Sequence, residues 1–339
     1  MQDSAKRYPR TAPKWLSKKN LFRALRMLVS AALIGYLLAT AQLDELAAML
    51  KSWHAIYFLI AVLLEVVRNV IFAYRWKITL SVSGIEVPFP TLIRFYFVGA
   101  FFNLFLPTAL GGDIVRGYNL AVRSGKKVDA ATSVLVERIV GFFALAFIAL
   151  LALLLGSGVI EDATVTTVIL LVCLGYFALT LLVFNASIMR RLIGALKFVK
   201  FWDLSERLGR MYDSLYKFTA HKTLLLQCFT LSMICQTLAI LAAYSLALAI
   251  NLKLDLVYFF MVLPMIWIIT MVPLSINGLG VREGAFVFFF TTVGVSDSAA
   301  LLLSFLNFSQ MIILGLMGGV IYLLGQIPPM ITARQKRVN

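Results

Sequence analysis

The sequence predicts an all-α polytopic membrane protein, with about six full spans and two broken re-entrant hairpins arranged as an inverted repeat. Three observations carry this. Of 339 residues, 61% are hydrophobic and the mean hydropathy is +0.91, with several apolar stretches long enough to cross roughly 30 Å of hydrocarbon. Only 14% are charged, against about 25% in a typical soluble domain. Finally, one motif occurs twice. An apolar run stops at Pro107 and is followed by Gly111, Gly112, Asp113 and Arg116; a second stops at Pro273 and is followed by Asn277, Gly278, Gly280, Arg282 and Glu283. Gly112 and Gly278 stand at the same distance from their prolines, as do Arg116 and Arg282. Proline removes a backbone donor, and glycine is a poor helix former. Such a break frees polar groups that lipid cannot satisfy, so the backbone must pack in protein or line a wet cavity.

Taken in order, residues 1–20 form a basic arm, and the cations that continue to Arg26 are held in the cytoplasm by the positive-inside rule. Ala39-Thr40-Ala41 resembles a cleavage site, but the basic leader is long for a signal peptide, and a retained first span over about 21–41 is expected. A surface helix follows, with Leu43, Leu46, Ala47 and Leu50 on one face. The second span, about 53–74, ends at Arg75 and Lys77. The run at about 91–106 then breaks, and Arg116, Arg123, Lys126 and Lys127 follow. A full crossing would place those four cations outside, so a hairpin over about 91–120 that returns to the cytoplasmic side is expected.

Spans at about 132–155 and 164–184 come next. A connector at about 185–223 mixes eight cations with Ile188, Leu192, Trp202, Met211 and Leu215, as amphipathic helices on anionic headgroups would, or as a solvated linker would. A span at about 224–250, a second hairpin at about 256–297 entering from the opposite face, and a span at about 299–325 complete the chain before the tail at 331–339. Roughly 26 of the Lys and Arg fall on the cytoplasmic side by this topology, which sets both termini there. The first repeat is 21–157. The second begins over 158–223, with its first span and the connector, and continues over 224–330. Broken helices in matching places of two halves are the best sequence pointer to a transporter's binding site.

The candidate substrate-binding residues therefore lie at the breaks: Asn103, Gly111, Gly112, Asp113 and Arg116 in one, Asn277, Gly278, Gly280, Arg282 and Glu283 in the other. Helices restarting near Gly112 and Gly280 would present unpaired N–H groups to an anion, and the arginine fork suits phosphate. The plainer reading pairs Arg116 with Asp113 and Arg282 with Glu283, and uses the two asparagines to satisfy freed backbone. Glu65 and Arg68 share a helix face and either pair with each other or line the cavity. Glu137 and Arg138 read first as headgroup-level anchors and second as cavity or coupling groups.

Composition and motifs also exclude classes. The net charge of +15 is spread between apolar runs, as topology signals are, and not as a nucleic-acid surface would be. Cys173, Cys228 and Cys235 fall within spans without CxxC spacing, and His54 and His221 are the only histidines, so neither a metal site nor a cofactor is expected. No Walker motif, HExxH or GxSxG elbow occurs; Gly278-Leu279-Gly280 with Gly284 has the wrong spacing and setting for a dinucleotide fingerprint. No catalytic residue is assigned.

Ala73-Tyr74-Arg75-Trp76, Asn103-Leu104-Phe105-Leu106-Pro107 with Gly111-Gly112-Asp113 and Arg116, Ser133 to Arg138, and Pro273 with Asn277 to Gly280, Arg282 and Glu283 together resemble the lysylphosphatidylglycerol synthase transmembrane, or flippase-like, family. The likeness covers about residues 20–330. It implies an integral membrane protein that moves lipid between leaflets. In the fused members this unit accompanies a soluble aminoacyl-transferase domain, which the present sequence leaves no room for. The expectation is a stand-alone flippase or transporter of an anionic-headgroup lipid or lipid-linked intermediate in the inner membrane. The alternatives are a lipid-binding accessory subunit partnered with a lipid- or glycan-modifying enzyme, and a headgroup transferase using Asp113, Glu137 or Glu283 as base. Substrate, direction, energy coupling and oligomeric state are not legible from the residues.

Overall fold

The computed structural model describes residues 28, 32–33, 35–37, 43–106, 111–156, 163–195, 204–271, 275 and 278–325. The basic arm, most of the first expected span, Pro107, Pro273, Asn277 and the tail lie outside the described residues. The described secondary structure is helical throughout. It comprises α1 (Leu43–Lys51), α2 (Ala55–Val82), α3 (Phe89–Phe105), α4 (Gly111–Ser124), α5 (Lys127–Leu155) and α6 (Ala163–Phe184). Then follow α7 (Ala186–Ala195), α8 (Leu204–Tyr216), a short 3-10 turn, α9 (Lys222–Ala249), α10 (Leu256–Met271), α11 (Val281–Thr291) and α12 (Asp297–Leu323).

Five of these, α2, α5, α6, α9 and α12, are long and apolar enough to cross a membrane. Their outward faces carry exposed leucines, including Leu63, Leu154, Leu171, Leu181 and Leu316, an arrangement that water penalises and lipid does not. The chain is a multi-pass membrane protein. By contrast α3 and α10, at 17 and 16 residues, reach only about 25 Å at 1.5 Å per residue, short of a full crossing. Each packs on the helix that follows it, α3 on α4 and α10 on α11, so both expected breaks are hairpins.

The contacts of the first half recur in the second. α2 lies along its counterpart α9. Hairpin helix α3 packs on α12, and α10 packs on α5; α4 rests on α5 as α11 rests on α12. The crossing of α3 and α12 is close because Gly315, Gly318 and Gly319 face Leu104, the Phe97 carbonyl and Phe101, leaving no space for a Cβ. Small residues at such crossings let backbones approach where no hydrophobic effect drives association.

One boundary departs from the expectation. The helix read as ending near residue 74 continues to Val82, and Arg75, read as an interfacial cation, is buried inside it. The second leg of the late hairpin starts at Val281, directly after Gly280, which adopts φ +84° while Glu283 caps the turn. In the connector, α7 keeps Ile188 and Leu192 exposed, as a surface helix does. α8 instead buries Tyr212 and Leu215 against Val136 and Val140 of α5, so its apolar face is spent on protein. Cys173, Cys228 and Cys235 are buried free thiols.

Candidate functional site

Polar residues recur along α2 at helical spacing: Glu65, Arg68, Asn69 and Arg75 fall on one face of an otherwise apolar helix. Tyr96 and Asn103, seven apart, do the same on α3, and α5 adds the adjacent pair Glu137 and Arg138. These faces turn toward one another and toward Arg282 of α11, enclosing a cavity of about 420 Å³. From the second half come Gln236 of α9, Trp267 and Thr270 of α10, and Asn307, Gln310, Met311 and Leu314 of α12. Five arginines and three carboxylates line the space, an excess of two positive charges.

Most of that charge is already paired. Arg116 donates from Nε to Asp113 at 2.9 Å and from Nη1 to Glu137 and to the Tyr96 hydroxyl. Its guanidinium carbon lies 4.8 Å from the Trp76 ring centre and 4.5 Å from that of Tyr96. Glu137 accepts in turn from Arg75 Nε at 3.2 Å and from the Tyr96 hydroxyl at 2.7 Å, and Asp113 also accepts from Arg138. Trp76 is held by its Nε1–H to the Ser133 hydroxyl at 3.1 Å. Arg68 pairs with Glu65. In the second half Arg282 pairs with Glu283 and stacks 4.3 Å over Phe308. Charges at membrane depth survive when paired with one another in this way.

The structure brings together Glu65, Arg68, Asn103, Gly112, Asp113, Arg116, Glu137, Arg138 and Arg282 around one space. Gly111, Gly278, Gly280 and Glu283 do not line it, and Asn277 lies outside the described residues. Three expectations are corrected. The Gly112 N–H is not left open to an anion, because it donates to the Asn103 side-chain oxygen. The Gly280 N–H likewise donates to Glu283 at 2.6 Å. Both helix starts are thus capped from within, and the cationic character of the cavity comes from guanidinium groups. The third correction concerns Glu137: it is 2% exposed and joins Arg75 to Arg116, which no headgroup-level anchor does.

Sequence reading passed over Arg75, Tyr96, Gln236, Asn307 and Gln310. Two of these had a signal: Asn307 and Gln310 are amides three apart in an apolar span, hence on one face. Arg75 was hidden because a cation at the end of an apolar run looks like a topology marker.

Fold and site together define a polytopic membrane protein with a charged cavity lined by helices of both halves. Residues 23–319 match the family described as Lysylphosphatidylglycerol synthase TM region. A UPF0104 membrane protein of Methanothermobacter thermautotrophicus is 27% identical over 277 residues, 76% of this chain and 81% of the relative. A second from that organism is 24% identical over 80% of this chain and 83% of its own length. The UPF0104 membrane protein MJ1595 of Methanocaldococcus jannaschii is 27% identical over 115 residues, about a third of each chain. The chain belongs to the lysylphosphatidylglycerol synthase transmembrane-region family.

Proposed function

We propose that this protein moves an anionic-headgroup lipid, or a lipid-linked intermediate, between the leaflets of the inner membrane. One observation supports this above the rest: Arg116 and Arg282, from matching breaks in the two halves, line the same cavity. A charged chamber is costly inside an apolar protein, and where transporters pay that cost the site lies between their two repeats. In this reading both termini are cytoplasmic and the halves are inverted, so that rocking one against the other exposes the cavity to each leaflet in turn. The ion network would be the part that shifts, since Arg75 joins it to the second half through Ser232.

The transferase alternative is disfavoured by geometry. Asp113, Glu137 and Glu283 are each already engaged by an arginine, which leaves none placed as a general base. The test is reconstitution of the purified full-length protein in vesicles carrying labelled anionic lipids in one leaflet, with headgroup accessibility followed in time. Transport faster than in protein-free vesicles, lost in Arg282→Ala, is expected. Unchanged transbilayer movement across all lipids offered would sink the proposal and favour the accessory-subunit reading.

A further inference from the structure

Helix α7 lies outside the cavity and has no part in the transport reading. Asn185 both closes α6 and opens α7: its N–H donates to the Leu181 carbonyl at 3.0 Å, its side-chain oxygen accepts from the Ile188 N–H at 3.2 Å, and its carbonyl accepts from the Met189 N–H at 3.0 Å. A membrane span thus passes into a new helix at one residue. At helical spacing the apolar residues of α7 form one broad face of two adjacent rows. Met189 and Ile193 make the row that packs on the cluster containing Val136, Val140, Tyr212 and Leu215. Ile188 and Leu192 make the other, and are 41% and 49% exposed. Arg190 and Arg191 border this face from its two sides, and both are exposed. Arg190 meets Asp213 of α8 at 3.6 Å with both side chains 64% exposed, a pairing worth little in water. Among the described residues no ion pair holds Arg191.

Position and charge together point to what covers Ile188 and Leu192. Leu181, one turn before Asn185, is exposed on α6 as the other outward-facing leucines of the spans are, so the bilayer reaches the start of α7. The helix carries two cations and no carboxylate. α1 provides the comparison, since it too is a surface helix with one row packed, Leu46 and Met49, and with Leu50 exposed. Yet α1 sets Asp44 and Glu45 against Lys51. An apolar row is enough to lie in any membrane surface, whereas cations without acids add attraction to anionic headgroups, each worth roughly fivefold in binding near such a surface.

We infer that α7 docks on the surface of an anionic leaflet, with Ile188 and Leu192 at the acyl-chain boundary and Arg190 and Arg191 among the lipid phosphates, at a site separate from the central cavity. Docking of α7 does not depend on what the cavity carries. α8 joins this surface to the rest of the protein, through Ser214 donating to Asp129 of α5 at 2.8 Å and through Tyr212 and Leu215 in one apolar cluster with Val136, the neighbour of Glu137.

The experiment places a nitroxide spin label on Leu192→Cys of the full-length protein, in nanodiscs of phosphatidylcholine alone or with roughly a third of phosphatidylglycerol. Cys173, Cys228 and Cys235 are buried, which confines labelling to the new thiol, and the apolar label takes the place of the leucine. Relaxation by oxygen, which concentrates in lipid, divided by relaxation by an uncharged nickel chelate, which stays in water, reads the depth. The ratio should rise roughly fivefold with the anionic lipid, fall back at high salt, and fail to rise in Arg190→Gln combined with Arg191→Gln. A label on Leu50→Cys of α1 should give one ratio in both discs. A water-like ratio at residue 192 in both discs would overturn the inference and make the connector a solvated linker. An equally high ratio in both discs, or an undiminished response to anionic lipid at high salt or in the double variant, would leave α7 an interfacial helix that does not read charge, and would equally overturn it. A label immobilised and shielded from both reagents would assign the face to a protein partner instead.

Discussion

Arg75 and Ser232, 157 positions apart, meet at 2.6 Å, the arginine donating from Nη1 while its Nε donates to Glu137. One guanidinium on α2 thus connects the carboxylate at the centre of the first half to a hydroxyl on α9 of the second. Because Glu137 also holds Arg116, the break motif after residue 106 and the interface between halves share a single ion network.

That sharing makes Glu137 the costliest member to remove. Glu137→Gln leaves buried Arg75 without a carboxylate and Arg116 with Asp113 alone, and should destabilise the protein by about 3–5 kcal/mol, whereas Ser232→Ala leaves Arg75 its carboxylate and should cost about 1 kcal/mol. Thermal unfolding of both variants in detergent checks the order. Equal losses would mean that the network does not centre on Glu137.

The pair Arg282 and Glu283 permits a sharper comparison. Glu283→Ala removes the acceptor of the Gly280 N–H and leaves Arg282 10% exposed without its partner, so it should cost about 3 kcal/mol or more. Arg282→Ala combined with Glu283→Ala removes the stranded charge, and the double variant should be more stable than Glu283→Ala alone. A double-mutant cycle on unfolding free energy reads the coupling directly; additive losses would contradict the buried pair.

Close approach between α3 and α12 depends on glycine. Gly318→Ala drives a Cβ onto the Phe97 carbonyl and should cost about 2 kcal/mol or more, as overpacking does. Gly175 on α6 has nothing within 4 Å of an added Cβ, and Gly175→Ala should be neutral or stabilising by up to about 1 kcal/mol. Melting temperatures of the two in one detergent separate packing from helix propensity.

Within the cavity, Arg68 and Arg138 keep side-chain exposures of 24% and 30%, against 5% for Arg116. Each is paired on one side, with Glu65 and with Asp113, and its exposed part faces the cavity where an entering headgroup would meet it, so Arg68→Ala and Arg138→Ala should lower lipid translocation by roughly tenfold. Their melting temperatures should fall less than that of Arg116→Ala, whose side chain is bound on all sides. Vesicle transport rates set beside unfolding midpoints test this, and variants that transport normally would remove these two arginines from the path.

How much was legible beforehand follows from where each signal is local. The spans at about 132–155, 164–184 and 224–250 match α5, α6 and α9 within a few residues, because length and hydropathy are properties of contiguous sequence. The hairpins were legible for a related reason: a proline, a glycine pair and four cations within one segment conflict with a full crossing wherever the rest of the chain goes. The capped starts at Gly112 and Gly280 were harder. Asn103 and Glu283 were each picked out, but whether a nearby oxygen turns back to an N–H or leaves it open is a matter of ångströms. Arg75, Glu137 and Gln310 were misread or missed because each, in its own segment, looks like an end marker, an anchor or a stray amide.

From the sequence by itself came the membrane class, the helical segments, the two breaks and most of the charged residues at them, since all of these follow from the transfer cost of contiguous residues between water and oil. Only the tertiary structure decided which charges face one another. Pairing energies fall off within a few ångströms, and the residues that pair here, Arg75 with Glu137 and with Ser232, Arg138 with Asp113, come from helices that only folding sets side by side.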